Sequence, residues 1–262
     1  MNLTLDDALL RFSGSALACD ARVDPRAGTV YHDGAMRPAA GFEWAPPVQG
    51  AVYGTLLNYK DALATLGELA LAPPYKAPPR EPVLYVKPRN THSAHERALV
   101  VPNGVEALAM GASLGVVIGR VACRVAESDA LDHVAGYTIG NDVSLPHDDF
   151  YRPSIRLKCR DGFCPLGPWV MARRHVADPD ALSIRVTIDG AIRQQANTRD
   201  VVRPIRALLA AVTEFMTLLP GDVLLTGVPG GAPLARPGQR VAITIDGIGT
   251  LANTLVAERP AP

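Results

Sequence analysis

Charged and hydrogen-bonding groups concentrate between Gly140 and Asp161: Asn141 and Asp142, then His147, Asp148, Asp149, Arg152, Arg156, Lys158, Arg160 and Asp161. An apolar run, Ala135 to Ile139, leads into them. A strand that delivers a loop of mixed charge is a common way to hold reacting groups on a rigid scaffold. The alternative for such a loop is a solvated basic face. A second group, His92, His95 and Glu96, places two imidazoles and a carboxylate within one short stretch. Those types could ligate a metal or move a proton near neutral pH. The competing reading, an exposed polar loop, is favoured because the trio lacks a structured ligand spacing.

Strands and turns must position these groups. Residues 1–48 read as a small β-rich module, with turn signals at Asp24-Pro25-Arg26-Ala27-Gly28 and His32-Asp33-Gly34 between short apolar runs. Trp44-Ala45-Pro46-Pro47 reads as a linker to a larger unit over 49–262. There the pattern predicts a helix that carries Asp61 and Glu68 and runs to about Ala70, a Pro-rich passage over Pro73–Pro79, and a strand at Val83–Val86 that leaves through Lys87-Pro88. Strands are also expected at Met110–Gly119, Leu182–Ile188, Val223–Leu225, Val241–Ile245 and Gly249–Ala252. Helices are expected over Ser128–Val134, with Ser128 as N-cap, and over Arg203–Leu219. The sum is a strand-dominated α+β chain.

With 262 residues, 48% of them hydrophobic, 20% charged and a net charge of zero, the chain can bury a sizeable core. Nothing in that balance marks a nucleic-acid or anionic-membrane surface. No apolar run approaches the ~20 residues that span a bilayer, and the start, MNLTLDDALLRF, lacks the basic and long apolar regions of a signal peptide. The expected location is cytoplasmic. Cys19, Cys123, Cys159 and Cys164 follow neither a zinc nor a disulfide spacing.

Several motifs, in order, resemble the fumarylacetoacetate hydrolase superfamily. They are Asn141-Asp142-Val143-Ser144, then Lys158, then Asp161-Gly162-Phe163-Cys164-Pro165-Leu166-Gly167-Pro168-Trp169. Phe215-Met216-Thr217-Leu218, Pro220-Gly221-Asp222-Val223-Leu224-Leu225-Thr226-Gly227-Val228-Pro229 and Gly247-Ile248-Gly249-Thr250-Leu251 follow. The resemblance covers about Gln49 to the C-terminus and implies that family's β-roll or sandwich fold. It also implies site residues: Lys158 as the active-site lysine, Asp142 as a metal carboxylate, and Asn141 and Thr226 as hydrogen-bonding groups for substrate. Arg152 is a second cation for a substrate carboxylate, and His95 is the candidate for a relocated base.

The departures from the family pattern are as informative. Its Glu-x-Glu metal pair falls on Gly111 and Ser113, its His and Glu water activators on Ala62 and Thr65, and its "SARD" on Ser144-Leu145-Pro146-His147. With Asp142 the one surviving carboxylate, a Mg²⁺ or Mn²⁺ site is degenerate. Within the superfamily this pattern resembles the first half of the two-half isomerase/decarboxylases of 4-hydroxyphenylacetate degradation, whose second half is expected to keep Glu-x-Glu. The phrases that match are Pro74-Tyr75-Lys76-Ala77-Pro78-Pro79, Lys87-Pro88-Arg89-Asn90-Thr91 and Phe150-Tyr151-Arg152-Pro153. The resemblance implies a small di- or tricarboxylate substrate, a dienolate intermediate held by Lys158, and either a homo-oligomer or pairing with a sister chain. Two alternatives stand beside it: a non-catalytic pairing subunit, and a C–C hydrolase of acylpyruvate type, which Ala62 and Thr65 argue against.

Overall fold

The structure, a computed structural model, describes residues 5–71, 73, 76–147 and 155–259. The strands Ala112–Ile118, Val134–Asn141 and Cys164–Ala172 are buried at nearly every position, so both of their faces must be covered. They pair antiparallel to one another and form the middle of an eleven-stranded sheet. On one side Val223–Leu225 pairs antiparallel with Ala112–Ile118, Val52–Leu56 runs parallel beside it, and Val83–Lys87 closes the edge. On the other side Asp6–Leu10 pairs with Cys164–Ala172, with Ala8 opposite Met171. The antiparallel strands Cys19–Asp24, Thr29–His32 and Ala35–Pro38 then carry that edge outward.

A second sheet has the order Ala191–Asn197, Ser183–Ile188, Arg240–Ile245, Gly249–Ala257, Leu99–Val101. In its middle strands alternate residues are buried, the signature of one covered face. That face, with Ile184, Val186, Ile188, Val241, Ile243 and Ile245, packs in one core with Leu114, Val116, Tyr137 and Ile139 of the large sheet. The helix Ile205–Phe215 adds Ile205, Leu208, Leu209 and Val212, the helical spacing that puts four apolar groups on one stripe. The fold is thus the strand-dominated α+β arrangement that the pattern predicts, built as the packed sheets that the resemblance implies. Among the described residues no helix is long and apolar enough to cross a membrane.

Three local expectations change. Glu127–His133 is a 3-10 helix capped by Ala126, and the Ser128 hydroxyl turns to Asp129 Oδ1 instead of capping it. The final helix starts after Pro204 and stops at Phe215, where Met216 turns extended. Trp44 is more than linker: it is 2% exposed, donates from Nε1 to Ala39 O at 2.8 Å and meets Trp169 edge-on with ring centres 6.2 Å apart. Of the Pro-rich passage, residues 74 and 75 lie outside the described residues.

Trp169 has no exposed surface, and its Nε1 donates to Ile248 O at 2.7 Å, so one side chain joins the large sheet, the N-terminal strands and the second sheet. Trp169→Ala is expected to cost about 3–5 kcal/mol through the cavity it leaves. The check is a lower urea midpoint at an unchanged m-value.

Candidate active site

Asp142 leaves the end of the Val134–Asn141 strand with its N–H still on the ladder, donating to Gly111 O at 2.8 Å. Successive strand residues face opposite sides. Asn141 accordingly turns into the core, where Nδ2 meets Met110 Sδ at 3.5 Å, while Asp142 turns into the wall of a cavity. The carboxylate is 3% exposed and surrounded by two lysines and a tyrosine.

Lys87, at the end of the Val83–Lys87 strand, is 1% exposed, and its Nζ lies 2.7 Å from Asp142 Oδ1. The same Nζ donates to the carbonyls of Val143 at 3.0 Å, Lys158 at 2.8 Å and Phe163 at 2.9 Å. An ammonium has three protons. The three carbonyls use them, so the contact with Oδ1 is an ion pair, and Oδ1 accepts no hydrogen bond from the described residues. Oδ2 is served differently: Lys158 Nζ donates to it at 2.7 Å and the Tyr85 hydroxyl at 2.6 Å. Lys158 Nζ also sits 5.2 Å from the centre of the Tyr85 ring.

Burial alone would raise the Asp142 pKa, but the charges of Lys87 and then Lys158, with the hydrogen bond from Lys158, hold it far below the carboxylate range. Asp142 is therefore ionised. Burial, and after it the Asp142 charge, push Tyr85 well above 10, so its phenol keeps its proton. Two glycines make this packing possible. A Cβ at Gly54, the cross-strand partner of Tyr85, would lie 2.0 Å from Tyr85 Cζ, and one at Gly111 would lie 2.5 Å from Asp142 O.

The cavity holds about 710 Å³. Leu56, Leu57, Val83, Leu84, Ile155, Val228 and Leu234 supply apolar wall, and Tyr85, Asp142, His147 and Lys158, with hydroxyl-bearing residues such as Ser144, supply polar groups. Leu57 has φ +57°, a left-handed conformation that costs a branched side chain about 1–2 kcal/mol. Ala62, Thr65 and Gly111, the positions where the family pattern carries its water activators and a metal carboxylate, also line this cavity.

Not every candidate from the sequence reaches this place. Asp142 and Lys158 do. Asn141 and Thr226 are 1% and 2% exposed and are not among the residues that line the cavity. For Asn141 the reason is the strand alternation that sends Asp142 outward.

His95 is buried apart from the residues that line the cavity: it is 6% exposed, packs edge-on against Trp44, and its Nδ1 accepts from Ala252 N–H at 3.0 Å. Burial lowers its pKa to about 4, against the weaker opposing charge of Glu96. Arg152, with Asp148 and Asp149, lies outside the described residues. Lys87 and Tyr85 were not singled out by sequence as reacting groups. Their spacing, Tyr-x-Lys on a strand, was the available signal, because period two puts both on one face.

A divalent cation finds little here. Among the described residues no group of three or more His, Cys, Asp or Glu converges. Both Asp142 oxygens already face ammonium groups, Gly111 has no side chain, and the buried Ser113 hydroxyl turns to Leu114 O at 3.4 Å. The described residues do not fit a Mg²⁺ or Mn²⁺ site.

Two packed sheets with an Asp and a Lys converging on one cavity define a class that sequence comparison makes explicit. The chain belongs to the fumarylacetoacetate (FAA) hydrolase C-terminal family, whose profile matches residues 51–256. It is 39% identical over 222 residues to the 4-hydroxyphenylacetate degradation bifunctional isomerase/decarboxylase of Salmonella dublin, covering 84% of this chain and 50% of that protein. To the protein of the same name from Escherichia coli it is 40% identical over 212 residues, covering 81% of this chain and 48% of that one. The chain thus spans about half the length of these relatives. In three dimensions it is similar to the 2-hydroxyhepta-2,4-diene-1,7-dioate isomerase of Mycobacterium marinum, with a TM-score of 0.75 and 27% identity over 98% of this chain and 100% of that one.

Two outcomes test this description. Lys87→Met removes the ion-pair partner of a buried carboxylate and the donor to three carbonyls, and is expected to cost about 3–5 kcal/mol in denaturant unfolding. The second concerns pH. His92 and His95 are both held neutral by burial, so below the ordinary 6.5 the unfolded chain binds protons that the folded chain does not. Stability should therefore fall as pH drops from about 6.5 toward 4. His95→Gln should flatten that slope by up to one proton, about 1.4 kcal/mol per pH unit.

Proposed function

We propose that the chain is one half of an isomerase/decarboxylase acting on 5-oxopent-3-ene-1,2,5-tricarboxylate and 2-hydroxyhepta-2,4-diene-1,7-dioate, in the catabolism of 4-hydroxyphenylacetate. The observation that carries this reading is the net charge at the cavity wall. Among the described residues two ammonium groups against one carboxylate leave one positive charge, and Lys158 is the one that lines the cavity, with its side chain 13% exposed. Its one described hydrogen bond, to Asp142, leaves two protons for a ligand.

The chemistry suits that charge. In decarboxylation the bond from C2 to its carboxylate breaks, CO₂ departs, and the electron pair runs through the conjugated chain to the 5-oxo oxygen, which becomes the 2-oxygen of the resulting dienolate. Isomerisation passes through the same anion, as a proton leaves the 2-hydroxyl and another adds to carbon. Lys158 holds the developing negative charge in a wall that is otherwise largely apolar, where a fixed donor acts more strongly than in water. Arg152 remains the sequence-based candidate for a further substrate carboxylate.

A second reading is favoured by Ala62, Thr65 and Gly111 in the cavity wall: the chain pairs with a sister chain bearing Glu-x-Glu and contributes structure instead of turnover. A hydrolytic reaction finds no water activator at those positions.

Purified chain assayed spectrophotometrically with the tricarboxylate separates these readings. The expected result is turnover that a chelator leaves unchanged and that Lys158→Ala lowers by about 10²–10³ in kcat. Full turnover by the variant would remove Lys158 from the mechanism. Turnover that appears only on adding the sister chain would establish the pairing role.

A further inference from the structure

We infer that His147 carries the proton of the isomerisation step, taking one from the 2-hydroxyl of the bound dienoate and returning one to C5. The inference rests on the reading of the cavity as an isomerase/decarboxylase site and names the group that the dienolate chemistry still needs there.

The bond changes define that need. The O–H bond of the 2-hydroxyl breaks, its electron pair stays in the dienolate, and a C–H bond forms at C5 to give the 2-oxo-3-ene. No atom is gained or lost, so the carrier ends as it began. Lys158 holds the negative charge between the two transfers. The carrier itself must gain and lose a proton near neutral pH, which imidazole does without an unusual environment.

The other titratable groups of the described wall are occupied. Asp142 is ionised with an ammonium beside each oxygen, which makes it a weak base. Tyr85 is held well above 10 and gives its proton to Asp142 Oδ2 at 2.6 Å. Burial pushes the Cys159 thiol up, and its Sγ meets Val86 O at 3.6 Å. His147 lines the same wall. His92 and His95 are not among the lining residues: His92 Nε2 meets Lys87 O at 3.1 Å, and His95 Nδ1 accepts from Ala252 N–H.

Backbone pairing brings His147 toward Lys158. Ser144 bridges to Ala109, and the next residue, Leu145, donates its N–H to Leu157 O at 3.0 Å. Leu157 precedes Lys158 in the helix Ile155–Lys158. The chain two residues before His147 is thus bound to the neighbour of Lys158, and Ser144, Pro146, His147, Ile155 and Lys158 all line the cavity. In the s-cis chain the 2-oxygen and C5 lie on one edge, so one side chain serves both.

The test follows the two steps separately on the full chain. CO₂ release is measured with the tricarboxylate, and deuterium at C5 is followed by NMR with 2-hydroxyhepta-2,4-diene-1,7-dioate in D₂O. Decarboxylation ends with the electron pair on oxygen and needs no proton at carbon, so the steps should separate. His147→Gln is expected to lower C5 deuteration about 10²-fold and CO₂ release far less. In His147→Ala, added imidazole should restore deuteration about tenfold. Full deuteration by His147→Gln, equal loss of both steps, or no rescue by imidazole would overturn the inference. Lys158→Ala should lower both steps. If it lowers neither while His147→Gln still separates them, the Lys158 reading fails and His147 stands. If the wild-type chain processes neither substrate, deuterium exchange at C3 of 2-oxohexanoate decides. Exchange above the buffer rate that His147→Gln abolishes keeps His147 and rejects the substrates, and no exchange rejects both.

Discussion

An ionised carboxylate removed from water costs several kcal/mol unless charge and hydrogen bonds replace its solvent, and among the described residues Asp142 meets that condition through Lys87, Lys158 and Tyr85. Lys87 does more than neutralise. Its three protons go to carbonyls of Val143, Lys158 and Phe163. One buried ammonium thereby ties the sheet edge to the residue after Asp142, to the end of the short helix Ile155–Lys158, and to the turn before the Cys164–Ala172 strand. The site and the local fold are the same set of interactions.

The sandwich supplies what those interactions need. Central strands covered on both faces give a rigid ladder whose end projects Asp142, and the edge strand Val83–Lys87 brings Tyr85 and Lys87 to it from the far side of Val52–Leu56. Such convergence requires close packing across strands, and glycine provides it. Gly54 yields its side-chain volume to the Tyr85 ring, and Gly111 yields to the Asp142 carbonyl. At Gly111 the consequence is chemical as well as steric. Where the family pattern has a metal-binding glutamate, there is neither a ligand nor room for a Cβ without movement. Among the described residues the positive charge in this cavity wall comes from Lys158.

Much of this was legible in the chain itself. Apolar runs marked two of the three central strands, Ala112–Ile118 and Val134–Asn141, alternation marked Ser183–Ile188 of the second sheet, and the spacing of Leu208, Leu209 and Val212 marked the helix. Each is a local periodicity that solvent exposure imposes on neighbouring residues. The ordered motifs around Asn141-Asp142, Lys158 and Trp169 identified the family, and with it Asp142 and Lys158, because residues fixed by a shared chemistry keep their order along the chain.

The remaining decisions were tertiary. Tyr85 and Asp142 are 57 residues apart, and Lys87 reaches carbonyls 56, 71 and 76 residues away. No local pattern encodes such contacts, because they exist only once the edge strand has docked. The same docking sent His95 into the core beside Trp44 instead of to the cavity, and the strand pleat turned Asn141 away from the face that Asp142 occupies. Sequence determined the family, the layers and two charged groups of the site. Tertiary structure decided which lysine is buried, which proton each donor spends and which side chains meet the cavity, because burial and hydrogen-bond pairing are properties of the packed sheets and not of any one segment.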